Sequence, residues 1–407
     1  MTKKLKLAVA TILGGIAMSA GAQNAYVRPA YQFPPLPSGS GPASIQLGES
    51  PVFLTPNLLL AVGRDDNLFY SNANEKSSTF YLLGPGFSLD SRDANKVLQL
   101  SYEGRFGRYA QSEDDNFVDH TLRTQADIAF DRRNFLKLGL DYLRGHDPRG
   151  ATDRPIAGRP DRYRSTNPSA TYAFGAPGAQ GRLEAYYNHA DKRYLNNFAT
   201  TAASDHKAQE YGAAFYARVM PRTYFLVEAR ETQIDYRQSG SPLSGDERRL
   251  YAGISWEPTA ATTGTVKVGN LKRRFDSSVL ADFSGPSWEA IVRWEPRSYS
   301  RLEVFTARQT TEASGLGNFI LTSITGAAWT HGWSSAVSTG IDLRFQKDEY
   351  QGFNRNEDTQ SLGLKVAYKF RRWLTLGAEY THTKRDSSLP AFDYDKNLYL
   401  LTATMSM

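Results

Sequence analysis

Along most of this chain, apolar and polar residues alternate one for one. In SLGLKVAYKF, Leu362, Leu364, Val366, Tyr368 and Phe370 share one face, and Ser361, Gly363, Lys365, Ala367 and Lys369 share the other. WLTLGAEYTH sets Leu374, Leu376, Ala378 and Tyr380 against Thr375, Gly377, Glu379 and Thr381. VLQLSYEGRF, TLRTQADIAF and GIDLRF repeat the pattern. Successive side chains of a strand point to opposite faces, so this alternation predicts strands with one apolar face. Runs of ten residues or more exceed the usual five or six of a soluble sheet. They match what a tilted strand needs to cross a bilayer.

Laid end to end, the segments predict eighteen strands: 52–66, 78–90, 95–109, 118–131, 134–146, 161–175, 180–193, 207–220, 222–236, 246–257, 262–274, 284–295, 298–311, 318–330, 334–347, 358–370, 372–385 and 394–407. Sixteen is the fallback, because 52–66, 161–175 and 318–330 alternate least cleanly. Tight turns such as DRRN, EPRS and FRRW follow the even-numbered strands. Longer polar loops such as QSEDDNFVD and GHDPRGATDRPIAGRPD follow the odd ones. The expected fold is all-β: a transmembrane antiparallel up-and-down β-barrel over 51–407, with short periplasmic turns and long extracellular loops. Its last strand, NLYLLTATMSM, must close the barrel, since an unpaired edge cannot sit in lipid.

The tripeptide Trp-Glu-Pro occurs twice, at 256–258 and 294–296, one hairpin apart. Both tryptophans fall on the apolar face, in register with Ile254 and Val292. With Phe130, Trp329 and Phe370 they predict an aromatic girdle at the periplasmic lipid interface. Pro258 and Pro296 are expected to end strand pairing, because proline offers no N–H.

The N-terminus changes the picture only by adding export. Lys3, Lys4 and Lys6 precede the apolar stretch LAVATILGGIAMSA and the small residues before Gln23, so 1–22 reads as a signal peptide cleaved near Ala22/Gln23. Residues 23–50 hold a Pro/Gly/Ser tract and read as a periplasmic arm. Export of a barrel places it in a Gram-negative outer membrane. The mean hydropathy of −0.49 is no objection, because a barrel needs only every second residue apolar.

Charge and chemistry narrow the function classes. Of 48 Lys and Arg, three lie in the signal peptide, leaving 45 against 42 Asp and Glu, so nothing points to nucleic acid. There is no cysteine, which removes disulfides and thiol-based metal or redox chemistry. The six histidines have no metal-ligand spacing. His189 beside Asp191, and His382 between Thr381 and Thr383, come nearest to a hydrolase pair and read better as single polar residues. No catalytic residue, metal or cofactor is expected.

If the apolar faces meet lipid, the opposite faces line a pore. They carry Glu103, Arg105, Arg123, Asp127, Lys137, Asp141, Glu184, Glu228, Arg230, Glu289, Arg293, Asp342, Arg344, Lys365, Lys369 and Glu379. A charged wall around a lumen this wide suits a hydrophilic solute. The loop at 147–164 holds Arg149, Arg154, Arg159, Arg162 and Arg164, a candidate inward-folded positive constriction. The acidic loop with Glu113, Asp114, Asp115 and Asp119 is a candidate bridge to lipopolysaccharide through divalent cations.

Residues 53–130 resemble the outer-membrane β-barrel porins of exopolysaccharide operons, the kind associated with exosortase B. The resemblance is carried by Asp65-Asp66-Asn67 after the first strand, Pro85-Gly86 in the second, the DNFVDH loop and, further on, GHDPRG. It implies export of an exopolysaccharide, with periplasmic export machinery as partner. The residues themselves leave a second reading open, a general porin taking up sugars or anions.

Overall fold

In this computed structural model, residues 44–93, 95–256 and 261–406 are described. Eighteen long strands form one sheet. They are β1 (Val52–Asp65), β2 (Ser78–Arg92), β3 (Lys96–Tyr109), β4 (Phe117–Ala129), β5 (Asn134–Asp147), β6 (Asp161–Phe174), β7 (Gly181–Tyr194), β8 (His206–Met220) and β9 (Thr223–Tyr236). The rest are β10 (Gly245–Trp256), β11 (Thr262–Phe275), β12 (Phe283–Arg297), β13 (Ser300–Thr311), β14 (Phe319–Gly332), β15 (Val337–Gln351), β16 (Asn356–Arg371), β17 (Leu374–Ser387) and β18 (Tyr394–Ser406). Each pairs antiparallel with the next, and β18 closes on β1 from Leu398↔Asp65 to Ser406↔Asn57. A closed ring leaves no edge, which lets backbone polar groups sit in hydrocarbon.

The eighteen-strand expectation holds, including the three least regular segments. No described strand end departs from expectation by more than four residues, the largest difference being β15, which runs to Gln351. Exposed Leu364, Val366, Tyr368 and Phe370 alternate with polar positions on β16, as do Phe225 and Val227 on β9. The apolar face is the outer one. No helix among the described residues is long and apolar enough to cross a membrane. The signal peptide and most of the arm fall outside the described residues. The arm's end is described: Ile45 and Gln46 pair with Leu54 and Phe53.

One expectation needs correction. Pro296 does not end its strand. Pairing of β12 with β13 is interrupted after Trp294↔Leu302 and resumes at Arg297↔Ser300. The missing N–H interrupts the ladder, and a local irregularity accommodates it. Pro258 and Glu257 lie outside the described residues, as does Met407.

Candidate functional site

The inner wall carries its charges in pairs. On β9 the Arg230 guanidinium meets Glu289 of β12 at 3.0 Å and Glu228 at 2.6 Å. Lys267 of β11 binds the same two carboxylates at 2.8 and 2.6 Å. Arg230 and Glu289 lie three strands apart, so both side chains must point into the barrel. Tyr186 of β7 donates to Glu228 at 2.6 Å, and Tyr251 of β10 shares a hydrogen bond with Ser287 at 2.7 Å. The Tyr186 ring fits only because Gly212 faces it: a Cβ there would stand 2.0 Å from the ring. The Arg230 side chain is wholly covered, with 0% exposure. Nearer the loop end, Arg249 pairs with Glu247, and Arg273 with Glu312 at 2.6 Å.

The remaining predicted wall residues pair locally. Arg105 binds Glu103, Arg123 faces Asp141 across the β4–β5 ladder, and Gln125 donates to Asp127 at 2.7 Å. Lys137 stands opposite Asp127, and Arg182 reaches Glu184 at 3.2 Å. Arg293 meets Glu303 at 2.8 Å, Arg344 meets Asp342 at 3.5 Å and Lys365 meets Glu379 at 2.8 Å. Lys369 is exposed. Lys267, Glu210, Glu247, Arg249 and Arg273 were missed from sequence, although each occupies an inward position of an alternating strand.

The loop at 148–160 and the start of β6 divide the five predicted arginines. Arg154 is buried between Asp147 at 3.0 Å and Asp161 at 2.9 Å, and donates to the Ser314 carbonyl at 3.0 Å. Its neighbour Asp153 binds Arg355 at 2.7 Å and accepts from Tyr350 at 3.0 Å. Ser314 follows β13 and Arg355 follows β15. A loop that leaves β5 is therefore tied to the wall eight to ten strands round the ring, its nearly opposite side. Arg149 binds Asp115 at 2.5 Å and stacks over Phe69 at 4.6 Å. Arg159, Arg162 and Arg164 are instead exposed. The positive constriction of five arginines is thus corrected: Arg149 and Arg154 are neutralised by carboxylates, and Arg162 and Arg164 stand on the outer face. No sequence signal marked Asp153, Ser314 or Arg355, whose partners lie up to 202 positions away.

The acidic loop is likewise divided. Asp115 is buried against Arg149, and Asp119 accepts from His146 at 3.0 Å. Only Glu113 and Asp114 remain open at the surface, too few for the four-carboxylate bridge to lipopolysaccharide. No group of residues able to hold a metal occurs among the described residues. Asp191 is taken by Arg237 at 2.8 Å, and His382 stands 3.1 Å from Asn397.

Trp256, Trp294, Trp329 and Phe370 lie near the turn-side ends of β10, β12, β14 and β16, and Phe130 just after β4. Phe130 is 61% exposed and Trp294 47%. Exposed Tyr299, Trp333 and Trp373 in the turns themselves extend this set beyond the expected one.

A family model described as Putative beta-barrel porin 2 matches residues 41–407. No curated protein matches. Among solved structures, the chain is similar to OpdK of Pseudomonas aeruginosa, solved with vanillate (12% identity, 87% of this chain, 99% of that one, TM-score 0.49). It is also similar to OccAB3 of Acinetobacter baumannii (10%, 88% and 99%, 0.46) and a BenF-like porin of Pseudomonas fluorescens (10%, 87% and 99%, 0.47). The eighteen-strand assignment stands on the strand pairing itself rather than on these distant likenesses.

Proposed function

Because the chain belongs to the Putative beta-barrel porin 2 family of outer-membrane barrels, we propose that it is a porin for small hydrophilic solutes, sugars or anions, rather than an exporter of exopolysaccharide. The observation that carries this is the loop at 148–160, fastened across the outer mouth by Asp153–Arg355 and Arg154–Ser314. A polymer would need that latch released, whereas a small solute passes beside it. The wall below supports the same reading. Its charges of both signs form a wet track on β15–β17, where Asp342 and Lys365 keep 41% and 45% of their side chains exposed.

The test is solute exclusion in vesicles containing the full chain. The wild type should admit mono- and disaccharides and exclude long oligosaccharides. D153A/R154A should admit larger ones and show higher single-channel conductance. Polysaccharide passage by the wild type, or identical exclusion in the variant, would overturn the proposal.

A further inference from the structure

The outer surface of the barrel carries a basic cleft that the pore does not use. Arg108 of β3, Arg144 of β5, Arg159 before β6 and Arg162 on β6 line a cavity of about 500 Å³ at the loop-side rim. Arg108 pairs in register with exposed Tyr81, and Arg162 with His146 beside Arg144↔Arg164. These arginines therefore share the outward face with Leu138 and Leu140. None of the four, nor Arg164, has an ion-pair partner among the described residues. Some other rim cations do, as where Arg193 meets Asp191, Arg248 meets Glu231, Arg308 meets Glu349 and Lys384 meets Asp386, but the unpaired arginines here are distinguished by lining one cavity together. Glu113, Asp114 and Asp119 also border the cleft, and Asp119 is already held by His146.

Arg108 has a second neighbourhood. It closes the upper end of an apolar groove of about 640 Å³ on the same outer surface, lined by Leu60, Val62, Tyr81, Leu83, Phe106 and Leu401. Unpaired guanidinium groups offer forked donors that suit phosphate oxygens. An adjoining apolar groove at bilayer depth suits an acyl chain. We propose that this surface binds one phosphorylated glycolipid of the outer leaflet, phosphate among Arg108, Arg144, Arg159 and Arg162, and an acyl chain in the groove. The arginines, and not the acidic loop, then make the link to lipopolysaccharide.

The test uses the refolded full chain in phosphatidylcholine vesicles doped with a diphosphorylated disaccharide glycolipid or with its dephosphorylated form. Bound lipid is read by native mass spectrometry after mild detergent extraction. The wild type should retain the diphosphorylated form, and R144Q/R162Q should retain it about tenfold less, the loss expected for two solvent-exposed ion pairs. R144K/R162K, which keeps charge without the fork, should fall between them, and R248Q should match the wild type. Equal retention of the dephosphorylated lipid, no loss in R144Q/R162Q, or full displacement by millimolar inorganic phosphate would each overturn the proposal. The last outcome would identify a site for free anions instead. The heat-dependent gel shift of a folded barrel confirms that each variant is compared in its native state.

Discussion

The wall from β7 to β13 and the wall from β15 to β17 carry the same kinds of charge on their inner faces, with different outcomes. In the first, Arg230, Lys267, Glu228 and Glu289 form a covered network under Tyr186 and Tyr251. In the second, Lys365 and Asp342 stay open to water while their partners Glu379 and Arg344 are more covered. The inward neighbours decide the difference. The first wall places aromatic rings beside its charges, and rings exclude water. The second places Gly340, Gly363, Ala367 and Gly377 beside them, which cover nothing. A buried pair holds the wall rigid because breaking it strands a charge, whereas an exposed pair is worth little and remains free to meet a passing ion.

The largest effect that separates the two walls is R230A. It leaves Glu228 and Glu289 short of a cation and should cost about 3–5 kcal/mol, read as the urea midpoint of barrel unfolding in detergent. If R230A unfolds like the wild type, the network is not structural. G212A comes next. Its methyl group displaces the Tyr186 ring from Glu228, at about 1–3 kcal/mol, by the same measurement. K365A should cost under about 1 kcal/mol yet shift ion selectivity towards cations, measured as the reversal potential across a planar bilayer. Loss of stability without a selectivity change would place Lys365 in the wrong class.

Acid should produce the smallest effect. Glu312 lies just beyond β13. Burial pushes its carboxyl up, and the Arg273 guanidinium more than offsets this, leaving it below its ordinary 4.5. A group depressed in the folded state stabilises it above the ordinary value and loses that contribution as pH falls through the folded one. Stability should therefore stay level from pH 7 to about 5 and decline below about 4.5. E312Q should show a shallower decline, and an unchanged acid slope would remove Glu312 from the account.

The sequence alone determined the barrel, its strand count, the face taken by residues in the regular stretches of the strands and the turn-side place of Trp256 and Trp294. The reason is that bilayer thickness and period-two geometry act within each strand, over residues adjacent in the chain. It also placed Glu228, Arg230 and Glu289 on the inner wall, though not in one cluster. The tertiary structure decided what the charges do. Whether Arg154 narrows a pore or is neutralised depends on Asp147, Asp161 and a carbonyl 160 positions away. Whether Arg162 faces lumen or lipid depends on the register at the rim, where loops interrupt the alternation. Asp153 and Arg355 meet only because the ring closes, so no local pattern in the chain could announce the latch across its mouth.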